Sequence, residues 1–228
     1  MLRAVLFDLD DTLVDQKSAA GEAVTAWAAE HGITDGDVSQ RWARISEVHY
    51  ARYQRREVTF AEQRWDRVRE FLAIDVDNQQ ADEIFSGYHE RYEAGWTTFD
   101  DTVPALRRAR AAGLAVALLT NGDEGHQRLK LNKLGLADEI DVLIASSMLP
   151  AGKPDPRAFR CAVERINVDA NQALMIGDSL ENDVRGALSA GLDAVLLDRH
   201  NTHHDTHVTR VRSLHDLTFD QETPRSKN

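Results

Sequence analysis

Polar side chains follow each of four short apolar runs in this sequence. The runs cover residues 4–7, 115–119, 142–145 and 173–176. The polar segments beyond them are Asp8-Leu9-Asp10-Asp11-Thr12, Thr120-Asn121-Gly122, Gly152-Lys153-Pro154 and Gly177-Asp178-Ser179-Leu180-Glu181-Asn182-Asp183. In an open α/β sheet, ligands bind outside the carboxyl ends of the strands. One aspartate in such a place is usually a helix cap, so the prediction of a site depends on all four segments together.

The two aspartates after the first run suit covalent phosphoryl transfer. Unaided hydrolysis of a phosphate monoester is so slow that enzymes accelerate it by up to about 10²¹-fold. A covalent intermediate divides that reaction into two easier steps. We predict that Asp8 attacks phosphorus, and that Asp10 first protonates the leaving oxygen and then deprotonates water. Crowding by the other aspartates of the site is expected to raise the pKa of Asp10, and Thr12 is expected to hold Asp10 by a hydroxyl hydrogen bond.

The absence of any soft ligand from these segments predicts a magnesium site. Mg²⁺ prefers octahedral oxygen ligands and keeps several of its waters. We expect Asp8 and Asp178 to supply carboxylates to the ion. Asp183, five residues after Asp178, is expected to orient those ligands.

The phosphoryl group needs hydrogen-bond donors as well. We expect Lys153 and Thr120 to bind its non-bridging oxygens, where the charge of the transition state is spread. The backbone amides of Leu9 and Asn121 can add donors. Because a lysine is most often a surface residue, the assignment of Lys153 depends on its Gly-Lys-Pro setting beside the other segments.

Apolar runs and helical patterns alternate from residue 103 onward. The helical patterns cover residues 104–112, 124–134, 155–166 and 180–190, and three of them end at a glycine. Runs that are apolar on both faces are typical of buried parallel strands. With residues 4–7 as the first strand, this alternation predicts an α/β fold, a doubly wound parallel sheet formed by residues 1–14 and 100–228.

Residues 15–99 have a different composition and predict an inserted α-helical domain. They contain no proline and hold all four tryptophans and all four tyrosines of the chain. These rings either fill the core of a small helical bundle or, for a few of them, face a substrate. Residues 41–69 carry eight arginines against four acids. Those arginines either form a solvated helix face or recognise a carboxylate or second phosphate.

Composition excludes several classes of partner. The chain is 42% hydrophobic and 29% charged, which is ordinary for a globular protein, and no apolar run approaches the roughly 20 residues of a membrane span. A net charge of −11 argues against a nucleic-acid or anionic-membrane surface. The single cysteine, Cys161, cannot form an internal disulfide, which fits a reducing compartment. We therefore predict a cytoplasmic monomer or homodimer whose partner is a small phosphorylated metabolite.

The four polar segments resemble the four motifs of the haloacid dehalogenase-like hydrolase superfamily. The matches are Asp8-x-Asp10-x-Thr12, Thr120-Asn121, Lys153-Pro154 and Gly177-Asp178-x-x-x-x-Asp183. The resemblance covers about residues 3–198 and implies a Rossmann-like core, a type-one helical cap and a Mg²⁺-dependent phosphatase with an aspartyl-phosphate intermediate. It also implies that the backbone carbonyl of Asp10 is the third protein ligand of the ion. A cap that closes over the site favours small substrates, such as sugar phosphates, nucleoside monophosphates or phosphoglycolate.

Other activities of the superfamily fit the sequence less well or stay open. Dehalogenases lack the second aspartate of the first motif, which this chain keeps as Asp10. Phosphonoacetaldehyde hydrolases use a lysine of the cap, and the only lysine between residues 14 and 99 is Lys17. A phosphomutase of the β-phosphoglucomutase type keeps every catalytic residue seen here, and a non-catalytic binding protein would be expected to have lost one. The motif variants look like the branch that holds N-acylneuraminate-phosphate phosphatases and house-cleaning nucleotidases.

Overall fold

The computed structural model describes residues 1–204 and 207–219. The chain forms two compact units, one from Met1–Val14 together with the chain from Thr98 onward, and the other from Asp15–Thr97. We call them the core unit and the helical unit. Within residues 1–204 and 207–219, none of the helices combines the length with the apolar composition that a membrane span requires.

The helical unit ends at Thr97, two residues before the end of the predicted insertion, which covered residues 15–99. Thr98 pairs with Val14 in an isolated β-bridge, and the Phe99 N–H donates to the Leu13 carbonyl over 3.2 Å. Both residues therefore belong to the core unit rather than to the insertion. The predicted core range of 100–228 also includes residues 205, 206 and 220–228, which lie outside the described residues.

A parallel sheet of six strands lies in the described part of the core unit. The strands are β1 (Ala4–Phe7), β2 (Ala115–Thr120), β3 (Val142–Ala145), β4 (Ala173–Gly177), β5 (Asp193–Leu197) and β6 (Arg210–Val211). Their order is β3-β2-β1-β4-β5-β6, and every neighbouring pair is parallel. The predicted doubly wound sheet is confirmed. The strand order reverses between β1 and β4, and this reversal is where such sheets bind ligands.

The first strand is buried on both faces. All four residues of β1 are 0% exposed. Val5 and Phe7 belong to one hydrophobic cluster and Leu6 to the other, as the two-residue period of a strand requires. Burial of each such side chain stabilises the fold by about 1.5–3 kcal/mol. The carboxyl end of β1, and with it Asp8, is therefore held by packing from both sides.

The helical unit is described throughout, and residues 15–97 form four helices. These are α1 (Gln16–Glu30), α2 (Val38–Gln54), α3 (Phe60–Leu72) and α4 (Asn78–Ala94). Capping boxes begin two of them: Thr59 and Glu62 at α3, and Asp77 and Gln80 at α4. The predicted α-helical character of the insertion is confirmed.

Aromatic rings fill the interior of the helical unit. The Trp42 ring lies 5.4 Å from the Trp27 ring and 4.6 Å from the Tyr88 ring, and all three side chains are buried. Such ring pairs contribute about 0.5–1.5 kcal/mol each beyond their burial. The core-filling interpretation therefore accounts for these three rings.

Arginines of residues 41–69 are engaged within the helical unit. Arg52 donates to Asp66 over 2.8 Å, and the Arg67 guanidinium lies 4.4 Å from the centre of the Trp42 ring. These two side chains are paired or stacked within the helical unit rather than simply solvated, as a solvated helix face would have them. Recognition of a substrate by these arginines stays a prediction.

Four further helices pack in the core unit among the described residues. They are α5 (Thr102–Ala111), α6 (Glu124–Lys133), α7 (Pro156–Arg165) and α8 (Gly186–Ser189). Asp155 caps α7 by accepting from the Arg157 N–H, and Pro156 occupies the first turn, where proline is favoured. The expected helix over residues 180–190 is instead a π-helix, Leu180–Arg185, followed by α8. The Val184 N–H donates to the Ser179 carbonyl over 3.2 Å, which is the five-residue step of a π-helix.

A buried ion pair ties α5 to the chain beyond β5. Asp101 is 1% exposed and accepts from the Arg199 guanidinium at 2.8 and 2.9 Å, from the Ser213 hydroxyl at 2.6 Å and from the Leu214 N–H at 2.8 Å. Burial alone would raise the pKa of Asp101, but these donors outweigh burial and lower it. The ionised carboxylate is therefore the form that the fold stabilises.

Replacement of Asp101 with asparagine is expected to destabilise the protein in a pH-dependent way. Loss of the buried charge leaves the Arg199 guanidinium without its carboxylate partner, at a cost of about 3–5 kcal/mol near pH 7. Because the folded-state pKa is below the unfolded value of about 3.9, this contribution is fully present above that value and is lost as the pH falls through the folded pKa. Denaturant unfolding at pH 7, 5 and 3 should show the gap between wild type and variant closing only at the lowest pH. A gap that is already closed at pH 5 would contradict the assignment.

Candidate active site

Three carboxylates converge beyond the adjacent strands β1 and β4. Asp8 directly follows β1, Asp178 directly follows β4, and Asp183 lies in the π-helix that begins two residues later. One ligand oxygen from each lies within 4.8 Å of the other two. All three donors are hard oxygens, which is the ligand type that Mg²⁺ prefers. The predicted carboxylate ligands therefore meet in a cluster that fits a divalent cation.

Lys153 lies inside this carboxylate cluster. Its ammonium is 2.6 Å from Asp8 Oδ1 and 2.6 Å from Asp183 Oδ1, and the residue is only 6% exposed. Burial alone would lower the pKa of Lys153, but the charges of Asp183 and Asp8 outweigh burial and raise it. The lysine is therefore charged. As expected from the sequence, it lies at the same edge of the sheet as Asp8 and Asp183.

The nucleophile candidate, Asp8, has a perturbed pKa. Burial raises the pKa of Asp8 well above its usual value; Lys153 opposes this rise, while Asp183 and Asp178 add to it. The cluster therefore has three acidic side chains and one buried ammonium, which contacts Asp8 and Asp183. A bound cation would offset this excess of negative charge, which is a second reason why the cluster fits a metal ion.

The backbone of Lys153 is held by the side chain of Asn121. The Asn121 amide donates to the Lys153 carbonyl over 2.8 Å, and the Lys153 N–H donates to Asn121 Oδ1 over 2.8 Å. This reciprocal pair fixes the lysine relative to the end of β2, where Asn121 lies. The side chain of Asn121 therefore positions Lys153, a role that the sequence did not reveal because only its backbone amide was considered.

Thr12 contacts a different aspartate from the one expected. Its hydroxyl donates to Asp8 Oδ2 over 3.1 Å and accepts from the Asp178 N–H over 3.1 Å. The predicted hydrogen bond from Thr12 to Asp10 is wrong. Residues 8–14 form a helix-like turn in which the Leu13 N–H bonds the Leu9 carbonyl, and four residues is the spacing that places two side chains on one face of such a turn. Thr12 therefore links the ends of β1 and β4.

Asp10 points to a different set of partners. Lys130 on α6 binds Asp10 Oδ1, and the Gln127 amide donates to Asp10 Oδ2 over 3.0 Å. Burial alone would raise the pKa of Asp10, but the Lys130 charge and the hydrogen bonds of Lys130 and Gln127 outweigh it, so this pKa is lowered. The prediction that crowding by acids raises the pKa of Asp10 is therefore wrong. Burial and neighbouring acids raise the pKa of Asp8 instead.

The predicted phosphate-binding residues lie at the same edge of the sheet. Thr120 closes β2, is buried, and accepts from the Gln127 amide over 2.9 Å. Leu9 is buried between Asp8 and Asp10. Gln127 and Lys130 were missed because glutamine and lysine on a polar helix are normally exposed, and the sequence around them, Gln-Arg-Leu-Lys-Leu-Asn-Lys, carries no signal that two of these side chains turn inward.

Gly177, the last residue of β4, has no room for a side chain. A Cβ there would lie 2.2 Å from Asp183 Oδ2 and 2.3 Å from its Cγ. We expect Gly177→Ala to push the Asp183 carboxylate off Lys153 and to lower kcat by about 10²-fold, with about 1–3 kcal/mol of destabilisation. Gly36→Ala is the control, because a Cβ at Gly36 meets nothing within 4 Å. Unchanged kcat in the Gly177 variant would show that turnover does not depend on the position of the Asp183 carboxylate.

Comparisons with known proteins agree with this geometry. The profile of the haloacid dehalogenase-like hydrolases matches residues 2–191. The glyceraldehyde 3-phosphate phosphatase of Methanopyrus kandleri is 28% identical over 205 residues, which cover 87% of this chain and 85% of that protein. The phosphoserine phosphatase of Thermus thermophilus is 48% identical over 94 residues, and this match spans only 41% of the chain and 38% of that relative.

A solved structure shares the fold. The HAD-hydrolase YfnB from Bacillus subtilis, determined with bound magnesium, superposes with a TM-score of 0.80 at 24% identity, over 94% of this chain and 96% of that one. The resemblance inferred from the four motifs is confirmed at the level of the superfamily, while the branch within it stays a prediction. Hydrolysis of phosphate monoesters agrees with the family match and with the names of the relatives. The chain belongs to the haloacid dehalogenase-like hydrolase family.

Proposed function

We propose that this protein is a Mg²⁺-dependent phosphatase that hydrolyses a small phosphate monoester through an aspartyl phosphate on Asp8. The observation that carries the proposal is the arrangement around Asp8 at the end of β1. The Asp8 carboxylate and the Asp183 carboxylate both contact the buried Lys153. One oxygen of Asp8 also lies within 4.8 Å of an oxygen of Asp178 and of an oxygen of Asp183, close enough for the three to share one ion. A nucleophilic carboxylate, a fixed cation and further carboxylates for a metal are the parts that phosphoryl transfer needs.

The residues of the core unit divide the chemistry among them. Asp8 and Asp178, with the backbone carbonyl of Asp10, would hold Mg²⁺, which when bound supplies positive charge to the phosphoryl oxygens. Lys153 adds a second fixed positive charge, and Asp183 and Asn121 hold it in place. Thr120 is the hydroxyl at the end of β2 that would bind a phosphoryl oxygen.

Two half-reactions follow. In the first, an oxygen of Asp8 forms a bond to phosphorus while the bond from phosphorus to the leaving oxygen breaks, and Asp10 gives that oxygen its proton. In the second, water attacks phosphorus, Asp10 takes the proton, and Asp8 is released. The contact with Lys130 favours the ionised form of Asp10, which is the form that the second half uses. The proposal therefore requires Asp10 to take up a proton when substrate binds.

The substrate class is proposed from the insertion and the relatives. The names of two relatives give them glyceraldehyde 3-phosphate and phosphoserine as substrates, both small phosphate monoesters. For this chain we propose a sugar phosphate, a nucleoside monophosphate or a phosphoglycolate-like acid, with the helical unit as the cap that selects it. The cytoplasmic location and the monomeric or homodimeric state stay predictions.

The test is phosphate release across a library of phosphorylated metabolites, with Mg²⁺ and after exhaustive chelation. We expect turnover of at least one small monoester with Mg²⁺ and a loss of at least about 10²-fold without it, because positive charge beside the transferred phosphoryl group stabilises the transition state strongly. Full activity in the chelated enzyme would contradict the metal assignment. Conversion that needs a sugar bisphosphate and yields an isomeric sugar phosphate would identify a phosphomutase instead. No reaction with any compound, together with tight binding of one of them, would identify a binding protein.

A further inference from the structure

Two side chains of α6 contact the carboxylate of Asp10. Lys130 is 1% exposed and binds Asp10 Oδ1, while Gln127 is 2% exposed and donates to Asp10 Oδ2 over 3.0 Å. The same Gln127 amide donates to Thr120 Oγ1 over 2.9 Å. We propose that Lys130 and Gln127 are positioning residues that fix the Asp10 carboxylate for proton transfer to and from the reacting oxygen. This inference rests on the proposed function, in which Asp10 transfers that proton.

Each carboxylate oxygen of Asp10 has its own donor on α6. A carboxylate held at one oxygen can still rotate about its bond to Cβ, whereas donors at both oxygens fix the plane of the group. Lys130 and Gln127 are three residues apart, so one helix presents both donors on one face. The orientation of Asp10 is thereby set by a rigid element rather than by its own loop.

Thr120 belongs to the same arrangement. The Gln127 amide bridges the acid that follows β1 and the hydroxyl that ends β2, so it sets the distance between the proton-transfer group and a phosphate-binding group. The chain makes room for this amide at Gly122, where a Cβ would lie only 2.8 Å from Gln127 Nε2. The position of the Gln127 amide therefore depends on the glycine that follows β2 as well as on α6.

The burial of Lys130 needs an explanation of this kind. An ammonium almost fully removed from water costs several kcal/mol unless it is paired, and a lysine in an exposed helix position would avoid that cost. The neighbouring Lys133 lies on the same helix and is exposed. The buried Lys130 ammonium contacts the Asp10 carboxylate, and this ion pair offsets the free energy that burial of the charge costs.

If Lys130 and Gln127 position Asp10, replacing either of them should lower kcat/KM by a factor that depends on the leaving group of the substrate. An alkoxide leaving group needs a proton at the moment of cleavage, whereas 2,4-dinitrophenolate leaves without one. The kcat/KM value reports the steps through the first irreversible one, here cleavage of the bond from phosphorus to the leaving oxygen. A displaced Asp10 should therefore lower kcat/KM for an alkyl phosphate and spare it for the dinitrophenyl ester, whereas general disruption of the site would lower both.

The experiment compares Lys130→Met and Gln127→Met with Lys133→Met as the matched control. The probes are β-glycerol phosphate and 2,4-dinitrophenyl phosphate, with Mg²⁺ present, and thermal melting checks the fold of each variant. We expect kcat/KM for β-glycerol phosphate to fall about 10²-fold in both α6 variants, the size of effect that misplacement of a catalytic group produces, and to fall less than about threefold for the dinitrophenyl ester. The Lys133 variant should match wild type with both probes.

The outcomes separate the inference from the proposed function. Asp10→Asn is measured in parallel, and a leaving-group-dependent loss in that variant is what the proposed role of Asp10 requires. Such a loss in Asp10→Asn but equal losses with both probes in Lys130→Met and Gln127→Met would overturn the positioning role and leave the proposed function standing. Equal losses with both probes in Asp10→Asn itself would overturn the role of Asp10. If Lys130→Met does not fold, Gln127→Met, which removes no charge, decides the matter alone.

Discussion

Asp8→Asn should abolish turnover while leaving the protein folded. The amide is close in size to the carboxylate but cannot attack phosphorus, so we expect kcat to fall by about 10⁴-fold to 10⁶-fold, as when other covalent nucleophiles are removed. The fold should not suffer. Burial and two neighbouring acids raise the pKa of Asp8, so a neutral side chain at this position relieves repulsion inside the cluster, and Lys153 keeps Asp183 as a partner.

The measurement is phosphate release with the best substrate of the library, together with the melting temperature in metal-free buffer. Asp11→Asn serves as the control, because it makes the same chemical change three residues away at a position with φ of 63°, which asparagine tolerates. We expect the control to keep wild-type activity. A folded Asp8 variant with a tenth of wild-type kcat would mean that another group attacks phosphorus.

Lys153→Met should damage both activity and stability. The ammonium is the fixed positive charge nearest the nucleophile, and its loss is expected to lower kcat by about 10³-fold. The variant also leaves Asp8 and Asp183 buried without the cation that each contacts at 2.6 Å. An uncompensated buried charge costs about 3–5 kcal/mol, so the free energy of unfolding should fall by an amount of that order in metal-free buffer at pH 7.

The pH dependence of this second variant has a defined sign. Without Lys153 the carboxylates lose the partner that opposes the rise in the pKa of Asp8, so the folded state favours protonated acids more strongly than the unfolded state does. A group whose folded pKa is raised in this way destabilises the protein as the pH rises through that pKa. Denaturant unfolding should therefore show a smaller deficit at pH 5 than at pH 7, and added Mg²⁺ should recover part of it. Lys133→Met, on the surface of α6, should show neither effect; a deficit in the Lys153 variant that does not change with pH would contradict the charge argument.

The sequence predicts the backbone of the site better than the contacts of its side chains. Buried parallel strands have a continuous apolar pattern, so the ends of β1 and β4, and hence the place of Asp8 and Asp178 at one edge of the sheet, could be predicted from the apolar runs. Lys153 was found because its Gly-Lys-Pro setting marks a loop at the same edge. These predictions depend on patterns that extend over several residues, which is what a single sequence carries.

The partners of Thr12 and Asp10 depend on finer detail. Thr12 bonds Asp8 rather than Asp10 because the loop turns by one helical step, which places residues four apart on one face. Lys130 could not be predicted because burial of an ammonium is the exception to the usual fate of lysine. The lowered pKa of Asp10 follows from the Lys130 charge and from the hydrogen bonds of Lys130 and Gln127, so missing these two side chains led to the wrong direction for that pKa.

The strand order has a consequence for the enzyme during its own synthesis. Lys153 and Asp183 are 145 and 175 residues further along the chain than Asp8, and Asp183 follows β4, which must insert beside β1 before Asp183 can meet Asp8. Until then a growing chain carries the nucleophile without Asp178 and Asp183. Catalytic competence should therefore arise late and abruptly in translation, when the strand that completes the reversal is added, and stalled chains that end before residue 183 should be inert towards phosphate esters.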